Sequence, residues 1–146
     1  MIMNKYLIHT DGGARGNPGP AAVGVVIQKS DGGLKREYCE YIGETTNNEA
    51  EYQAVVFALK KLKQLIGKYD ASQAKVEVHL DSELLERQMN GHYKIMDKKL
   101  QDLFLGIWNL KVDFGEVVFR HIPREDNHGA DRLVNVALDK ELNKLL

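Results

Sequence analysis

Four acidic residues lie at the ends of apolar or amphipathic segments, where folding would bring them together. They are Asp11, Glu51, Asp81 and Asp131. Carboxylates held close together repel one another, and burying them costs free energy unless a cation neutralises them. Carboxylate oxygens without a cluster of Cys or His side chains suit Mg²⁺ or Mn²⁺ rather than Zn²⁺. The spacing therefore predicts a divalent-metal site made by these four acids.

Each of these acids also has a simpler explanation when it is taken alone. Asp11 and Asp81 follow short apolar runs, where an aspartate often forms a turn or caps a helix. Asp131 comes near the start of a predicted helix, where the helix dipole favours an acidic residue. It is the joint arrangement that favours a metal site over these explanations.

Helical periodicity distinguishes Glu51 from Glu49, the other acid in the same segment. Glu51 begins a stripe at helical spacing whose other members are apolar, namely Val55, Ala58, Leu62 and Leu65. Glu49 points about 200° round the helix, toward water or the rim of a substrate site. The pattern therefore predicts that Glu51 faces the sheet and joins the metal site.

The elements that must position these acids are predicted in the order βββαβααβα. The predicted strands are residues 5–10, 22–28, 35–42, 76–80 and 117–122. The predicted helices are residues 47–66, 82–89, 97–110 and 129–142, with a glycine-rich turn at 11–20 and a polar connection at 70–75. A hairpin meander followed by strand–helix alternation indicates an α/β fold, a mixed sheet with helices packed on it.

Length and composition limit the class of protein. The 146 residues suit one domain, residues 1–146. The net charge of −1 argues against a protein that coats nucleic acid through bulk positive charge. The single cysteine, Cys39, excludes an internal disulfide and fits a reducing compartment. No secretion signal and no apolar stretch of about 20 residues is visible, so we expect a cytoplasmic protein without a membrane partner.

Four motifs, in order along nearly the whole chain, resemble those of type 1 ribonuclease H. They are TDGGARGNPGPA at 10–21, TTNNEAEY at 45–52, LDS at 80–82 and HIPREDNHGADRL at 121–133. The resemblance implies the ribonuclease H-like fold, with a five-stranded mixed sheet flanked by helices. It also implies endonucleolytic hydrolysis of the RNA strand of an RNA–DNA hybrid. The metal quartet of the family carries over to Asp11, Glu51, Asp81 and Asp131.

Phosphodiester hydrolysis needs an activated water, an in-line geometry and relief of developing charge. Two metal ions about 3.5–4 Å apart meet all three needs. We therefore expect two Mg²⁺ ions, or Mn²⁺ in their place, with Asp11 as the residue that bridges them. The expected products carry 5′-phosphate and 3′-hydroxyl ends.

The glycine-rich segment after Asp11 is not a phosphate-binding loop of a nucleotide-binding fold, because the GK[ST] ending is missing and a strand follows. Its glycines let the backbone approach a nucleic-acid strand. The resemblance implies contact with the minor groove and with the 2′-hydroxyls that distinguish RNA from DNA. The candidate substrate contacts are Gly12, Gly13, Asn17, Thr46, Asn47 and Asn48, with Arg15 as a weaker candidate for a phosphate contact.

The resemblance also implies a histidine that assists proton transfer or product release, for which histidine is suited. His121 lies ten residues before Asp131, which matches the family spacing. However, His121 ends a predicted strand and is followed by Ile122 and Pro123 rather than by a flexible loop. His128, three residues before Asp131, is the alternative. We favour His121 and leave His128 open.

The region after Asp81 departs from family members that grip DNA with a long basic, Trp-rich protrusion. Residues 83–110 are short and only mildly basic, and they contain one tryptophan, Trp108, which we expect in the core with Phe104 and Leu105. Hybrid affinity is therefore expected to be weaker or to depend on a partner. This short form resembles an archaeal and bacterial subgroup, which allows double-stranded RNA as a second substrate.

Three other functions compete with this interpretation. A ribonuclease H-like nuclease acting on DNA would share the acids, but the glycine segment and the Asn47-Asn48 pair favour ribonuclease H. A non-catalytic nucleic-acid-binding module would gain nothing from four mutually repelling acids. A nucleotide-binding regulatory domain lacks its phosphate-loop motif.

Overall fold

The computed structural model of the protein describes residues 4–145. The strands are β1 Asn4–Ala14, β2 Gly19–Lys29, β3 Lys35–Thr45, β4 Ala74–Leu80 and β5 Glu116–His121. The helices are α1 Asn47–Ser72, α2 Glu83–Met89, α3 Lys98–Val112 and α4 His128–Lys144. The predicted order of elements is confirmed. Within residues 4–145, the helices are all too short or too polar to cross a bilayer.

The five strands form one mixed sheet in the order β3-β2-β1-β4-β5. The first three strands pair antiparallel as a meander. Strands β4 and β5 add on the other side of β1, both in parallel pairings. The predicted α/β fold with a mixed five-stranded sheet is therefore confirmed, and β1 is its central strand.

Helices cover the two faces of the sheet. On one face, α1 packs on buried strand residues, and the shared core includes Ile8, Val25, Val78, Val55 and Leu59. On the other face, α4 packs on the meander through a smaller core of Ala22, Val134, Ala137 and Leu138. Because side chains alternate along a strand, β1 presents its even-numbered residues to α1. Its odd-numbered residues face the α4 side.

Strand β1 is longer than predicted, because the glycine segment pairs with β2 instead of forming a turn. Gly12, Gly13 and Ala14 lie opposite Val23, Ala22 and Ala21. The prediction that Asp11 terminates the strand is therefore wrong. Pairing with β4, however, ends at Thr10 and Leu80. Asp11 is thus the first β1 residue beyond the end of its parallel neighbour.

Helix α1 is interrupted at Gly67, which adopts φ 87° and ψ 164°. This left-handed φ is accessible to glycine at little cost. The helix was predicted to end after residue 66, but Gly67 only interrupts it. The chain then resumes a helical path to Ser72, where a polar connection was predicted. Leu65, expected on the core stripe, is exposed just before the break.

The predicted burial of Trp108 is wrong. Helix α3 packs on the core through Leu100 and Ile107, which are buried. Trp108 lies about 100° round the helix from Ile107, and it remains 54% exposed. The Lys111 ammonium lies 5.4 Å from the centre of its ring.

A short connection, residues 90–97, joins α2 to α3. The His92 N–H donates to the Arg87 carbonyl at 2.8 Å, and the Gln88 side-chain amide donates to the Lys94 carbonyl at 3.1 Å. Tyr93 lies between these two anchor points and is exposed. The connection is therefore largely exposed, and these hydrogen bonds tie its middle to α2.

Candidate active site

Three of the four predicted acids converge. Asp11, Glu51 and Asp81 each offer a carboxylate oxygen, and these oxygens lie within 4.8 Å of one another. Asp11 and Asp81 directly follow the last parallel pair, Thr10 and Leu80. They are therefore held side by side at the carboxyl ends of adjacent strands, where open α/β sheets place their ligand sites. Glu51 reaches the same place from the start of α1.

Asp131 lies at the edge of this group. It lines one cleft with Asp11 and Glu51, and its charge helps to raise the pKa of Asp11. It belongs to the first turn of α4, and its N–H donates to the Asn127 carbonyl at 3.1 Å. The structure therefore places Asp131 in the cleft, but outside the tight group of three.

Burial and mutual repulsion make the cluster electrostatically unfavourable. Burial is the largest cause that raises the pKa of Asp11 to about 7, followed by the charge of Asp81. Burial, then the charges of Asp11 and Asp81, raises the pKa of Glu51 well above its ordinary value. The Gly12 N–H, which donates to Asp11 at 3.0 Å, offsets only part of this cost. The cluster therefore retains protons unless a cation replaces them.

The donor set fits a hard divalent cation. Glu51 Oε2 is buried and has no hydrogen-bond partner among residues 4–145. A buried oxygen without a partner is costly in a protein interior, and metal coordination would satisfy it. The converging ligands are all carboxylates, which suit Mg²⁺ or Mn²⁺. Asp11, Glu51, Asp81 and Asp131 are the residues that would hold such ions.

Two glycines let helices approach the strands closely enough to deliver their acids. A Cβ atom on Gly12 would lie 2.2 Å from the Ala50 carbonyl carbon and 2.5 Å from the Glu51 nitrogen. Gly24, which pairs with Asp11, has the same role for the other helix. A Cβ atom there would lie 2.2 Å from the Ala130 carbonyl oxygen. Gly12 thus has a packing role that the sequence analysis did not identify.

Two asparagines fasten the end of β1 and the β1–β2 connection to the start of α1. The Asn47 side-chain oxygen accepts a hydrogen bond from the Ala14 N–H at 2.8 Å, and the Asn47 N–H donates to the Asn17 side chain at 3.0 Å. Thr46 caps α1 by accepting from the Glu49 N–H. Asn47 also lines the acidic cleft. The predicted substrate contacts Asn17, Thr46 and Asn47 therefore lie together, and Asn48 lines an adjoining hollow with Asn17 and Thr46.

Glu49 and Arg15 both have protein partners. The Glu49 side chain is only 14% exposed, because it accepts a hydrogen bond from the Thr45 hydroxyl and lies 3.8 Å from the Lys99 ammonium. Of the two predicted surroundings of Glu49, water is therefore wrong. The rim of a substrate site stays a prediction, because Glu49 lines the same hollow as Asn17 and Asn48. The Arg15 guanidinium donates to Asp139 on α4 at 2.7 Å, so it ties β1 to α4.

The two candidate histidines lie on either side of the last turn before α4. His121 is exposed at the end of β5, where it pairs with Leu80, the residue before Asp81. His128 is exposed at the first position of α4. The cleft itself is lined by a different residue of this segment, Arg124. The sequence analysis missed Arg124, although it is the only basic residue in the turn at 123–127.

Comparison with known proteins finds relatives of this chain in both sequence and fold. Residues 9–137 match a family model described as reverse transcriptase-like. Ribonuclease HI of Halobacterium salinarum is 40% identical over 88% of this chain and 62% of its own length. Ribonuclease H of Paracidovorax citrulli is 32% identical over 97% of this chain and 99% of its own length. Three mycobacterial relatives are matched over only 36% of their length.

A solved structure, LC11-RNase H1 in complex with an RNA/DNA hybrid, superposes with a TM-score of 0.87. It is 49% identical and covers 94% of this chain and 99% of its own. Fold and cleft together define a ribonuclease H-like α/β protein. With full-length relatives of this identity, the chain belongs to the type 1 ribonuclease H family.

Proposed function

We propose that this protein is an endoribonuclease that hydrolyses the RNA strand of RNA–DNA hybrids with two divalent ions, Mg²⁺ or Mn²⁺. The observation that carries the proposal is the cluster of Asp11, Glu51 and Asp81, whose oxygens converge within 4.8 Å. The buried, unpartnered oxygen of Glu51 supports it further. The products are expected to carry 5′-phosphate and 3′-hydroxyl ends.

The position of each residue in the cleft suggests its role. Asp11 is central, because its carboxylate lies close to those of Glu51 and Asp81 and the charge of Asp131 raises its pKa. We therefore assign Asp11 as the bridging ligand. When bound, the ions supply an activated water and offset the charge that develops on the phosphate. Arg124 lies in the same cleft, where its guanidinium can contact a phosphate oxygen. His121, which pairs with the residue before Asp81, is proposed to assist proton transfer or product release.

The substrate proposal rests on the edge of the cleft. The relative solved with an RNA/DNA hybrid is 49% identical to this chain. Asn17, Asn47 and Asn48 supply amide groups at the start of α1, which suit hydrogen bonds to ribose hydroxyls and phosphates. The remaining proposed contacts are Gly12, Gly13 and Thr46. Double-stranded RNA, which also carries 2′-hydroxyls, is proposed as a weaker second substrate.

The test is cleavage of a labelled RNA–DNA hybrid by the wild type and by Asp81→Asn. The matched control is Asp102→Asn, because Asp102 is exposed on α3 and pairs with Lys98. Wild type and Asp102→Asn should cut the RNA strand only when Mg²⁺ or Mn²⁺ is present. Asp81→Asn should lose at least about 100-fold of this rate, since a metal ligand is removed.

Duplex DNA and double-stranded RNA of the same sequence serve as comparison substrates. Equal cleavage of hybrid and duplex DNA would refute the specificity, and full activity of Asp81→Asn would refute the site. The ends are checked on the RNA fragments, with polymerase extension of the 3′-hydroxyl and digestion by an exonuclease that requires a 5′-phosphate.

A further inference from the structure

The buried side chain of Asn127 contacts the acidic cluster through a hydrogen bond to Asp81. It is 1% exposed. Its Nδ2 donates to the Thr10 carbonyl at 2.8 Å and to Asp81 Oδ2 at 3.2 Å. Both partners are acceptors, so the amide nitrogen, rather than the oxygen, must face them. The hydrogen bonds therefore fix the orientation of this amide.

The backbone of Asn127 makes hydrogen bonds to Arg124 and Asp131, which line the cleft. The Asn127 N–H donates to the Arg124 carbonyl at 2.9 Å, and the Asn127 carbonyl accepts from the Asp131 N–H at 3.1 Å. One residue thus connects the end of β4, which carries Asp81, to the first turn of α4, which carries Asp131. Through Thr10 it also reaches the residue that precedes Asp11.

From this bridge, and on the basis of the proposed function, we propose that Asn127 is a positioning residue for metal binding. Its amide fixes one oxygen of the Asp81 carboxylate and thereby sets how that group presents itself to the cluster. A carboxylate free to rotate would lose part of its free energy of metal binding in being ordered. Partners outside the ligand shell that orient metal ligands typically change metal affinity or activity by about 10–100-fold when removed.

A purely structural role would give a different result. Asn127 is buried, so losing its hydrogen bonds would lower stability wherever they lay. Only a positioning role predicts that metal affinity falls as well. The quantity to measure is therefore the affinity for Mn²⁺ alone, obtained by calorimetry without nucleic acid, together with kcat and KM for the hybrid.

The test variants are Asn127→Ala and Asn127→Ser, the second keeping a small polar group that is too short to reach Asp81. The matched control is Asn90→Ala. The Asn90 amide also donates to a strand carbonyl, Phe119 at 3.2 Å, and to a carboxylate, Glu86 at 3.0 Å. It makes these bonds between α2 and β5 rather than in the acidic cleft.

We expect both Asn127 variants to bind Mn²⁺ at least about tenfold more weakly and to lose kcat, with KM for the hybrid nearly unchanged. Asn90→Ala should lose stability and keep the affinity for Mn²⁺. Unchanged Mn²⁺ affinity in the folded Asn127 variants would overturn the inference. So would failure of both variants to fold, because the amide would then support the fold rather than the cluster.

These outcomes are separable from failure of the proposed function. A wild-type protein that binds Mn²⁺ but cleaves no hybrid would refute the proposed activity, while weaker Mn²⁺ binding by the Asn127 variants would still support the positioning role. Conversely, a wild type that cleaves the hybrid, beside Asn127 variants with unchanged Mn²⁺ affinity and kcat, would refute the inference alone.

Discussion

Gly12 on β1 lies against the backbone of Ala50 on α1, so closely that a Cβ atom on residue 12 would be 2.2 Å from the Ala50 carbonyl. The neighbouring residues, Asp11 and Glu51, are the two acids of the cluster whose pKa is raised mainly by burial. The distance between strand and helix therefore sets the distance between these two carboxylates. No side chain larger than hydrogen fits there without moving the helix.

Gly12→Ala should consequently reduce both stability and activity. Overpacking of this kind typically costs about 1–3 kcal/mol of unfolding free energy, and displacement of Glu51 should lower hybrid cleavage at least about tenfold. Denaturant unfolding and single-turnover cleavage measure the two effects. Gly106→Ala is the control, because a Cβ atom there meets open space within α3 and should stabilise by up to about 1 kcal/mol. Wild-type behaviour of Gly12→Ala would show that the helix is not held by this contact.

The raised pKa of Asp11 predicts how the stability of the metal-free protein depends on pH. Burial raises this pKa from 3.8 to about 7, so the folded state holds a proton that the unfolded chain releases. The contribution of Asp11 to stability is therefore present below about pH 4 and is lost as the pH rises to about 7. In Asp11→Asn the side chain cannot ionise, so this loss of stability should disappear. The unfolding free energy of Asp11→Asn minus that of the wild type should therefore grow as the pH rises from about 4 to about 7.

Divalent metal should restore the stability that the wild type loses as the pH rises, and it should not do so in Asp11→Asn. Excess Mg²⁺ should raise the thermal midpoint of the wild type more at about pH 8 than at about pH 5, because ions compete with protons for the carboxylates. Asp11→Asn should show little metal-dependent shift at either pH. If Mg²⁺ does not shift the thermal midpoint of the wild type at either pH value, the metal site is contradicted.

The two histidines can be separated by paired substitutions. His121 lies opposite Leu80, the residue before Asp81, whereas His128 begins α4. We expect His121→Ala to lower kcat about tenfold or more and His128→Ala to leave it within about twofold. Both side chains are exposed, so thermal stability should change little in either variant. The reverse order of effects would assign the role to His128.

Arg124 should contribute to binding through a phosphate contact. Arg124→Ala is expected to weaken hybrid binding and to reduce the slope of log affinity against log salt by about 0.9, the value for one lost phosphate contact on a duplex. Binding is measured in Ca²⁺ to suppress cleavage. Arg36→Ala provides the control, since Arg36 is exposed on β3 and donates to the Lys35 carbonyl. An unchanged salt slope would remove Arg124 from the interface.

The sequence was sufficient to predict the order of elements and the three acids, Asp11, Glu51 and Asp81, that the structure brings together. Those predictions rest on local signals, such as the helical spacing that favours Glu51 over Glu49 and the apolar run that ends before Asp81. These local patterns also predict packing, because the apolar residues that mark a helix or strand are the ones that it buries against its neighbours.

The errors arose where a distant partner decides the outcome. The glycine segment is a strand because β2 offers it a pairing edge. Glu49 is covered because Thr45 and Lys99 surround it. Asn127 looks like an ordinary turn residue in the sequence, and its bonds to Thr10 and Asp81 span 117 and 46 residues. No local pattern encodes contacts at that separation.

The connection between α2 and α3 has a consequence for how this scaffold can change. Residues 90–94 are exposed, and hydrogen bonds with Arg87 and Gln88 tie them to α2. Exposed positions of this kind tolerate inserted segments. A segment could therefore be gained or lost at this connection without displacing the strands that carry Asp11 and Asp81, so that this surface and the acidic cluster could evolve separately.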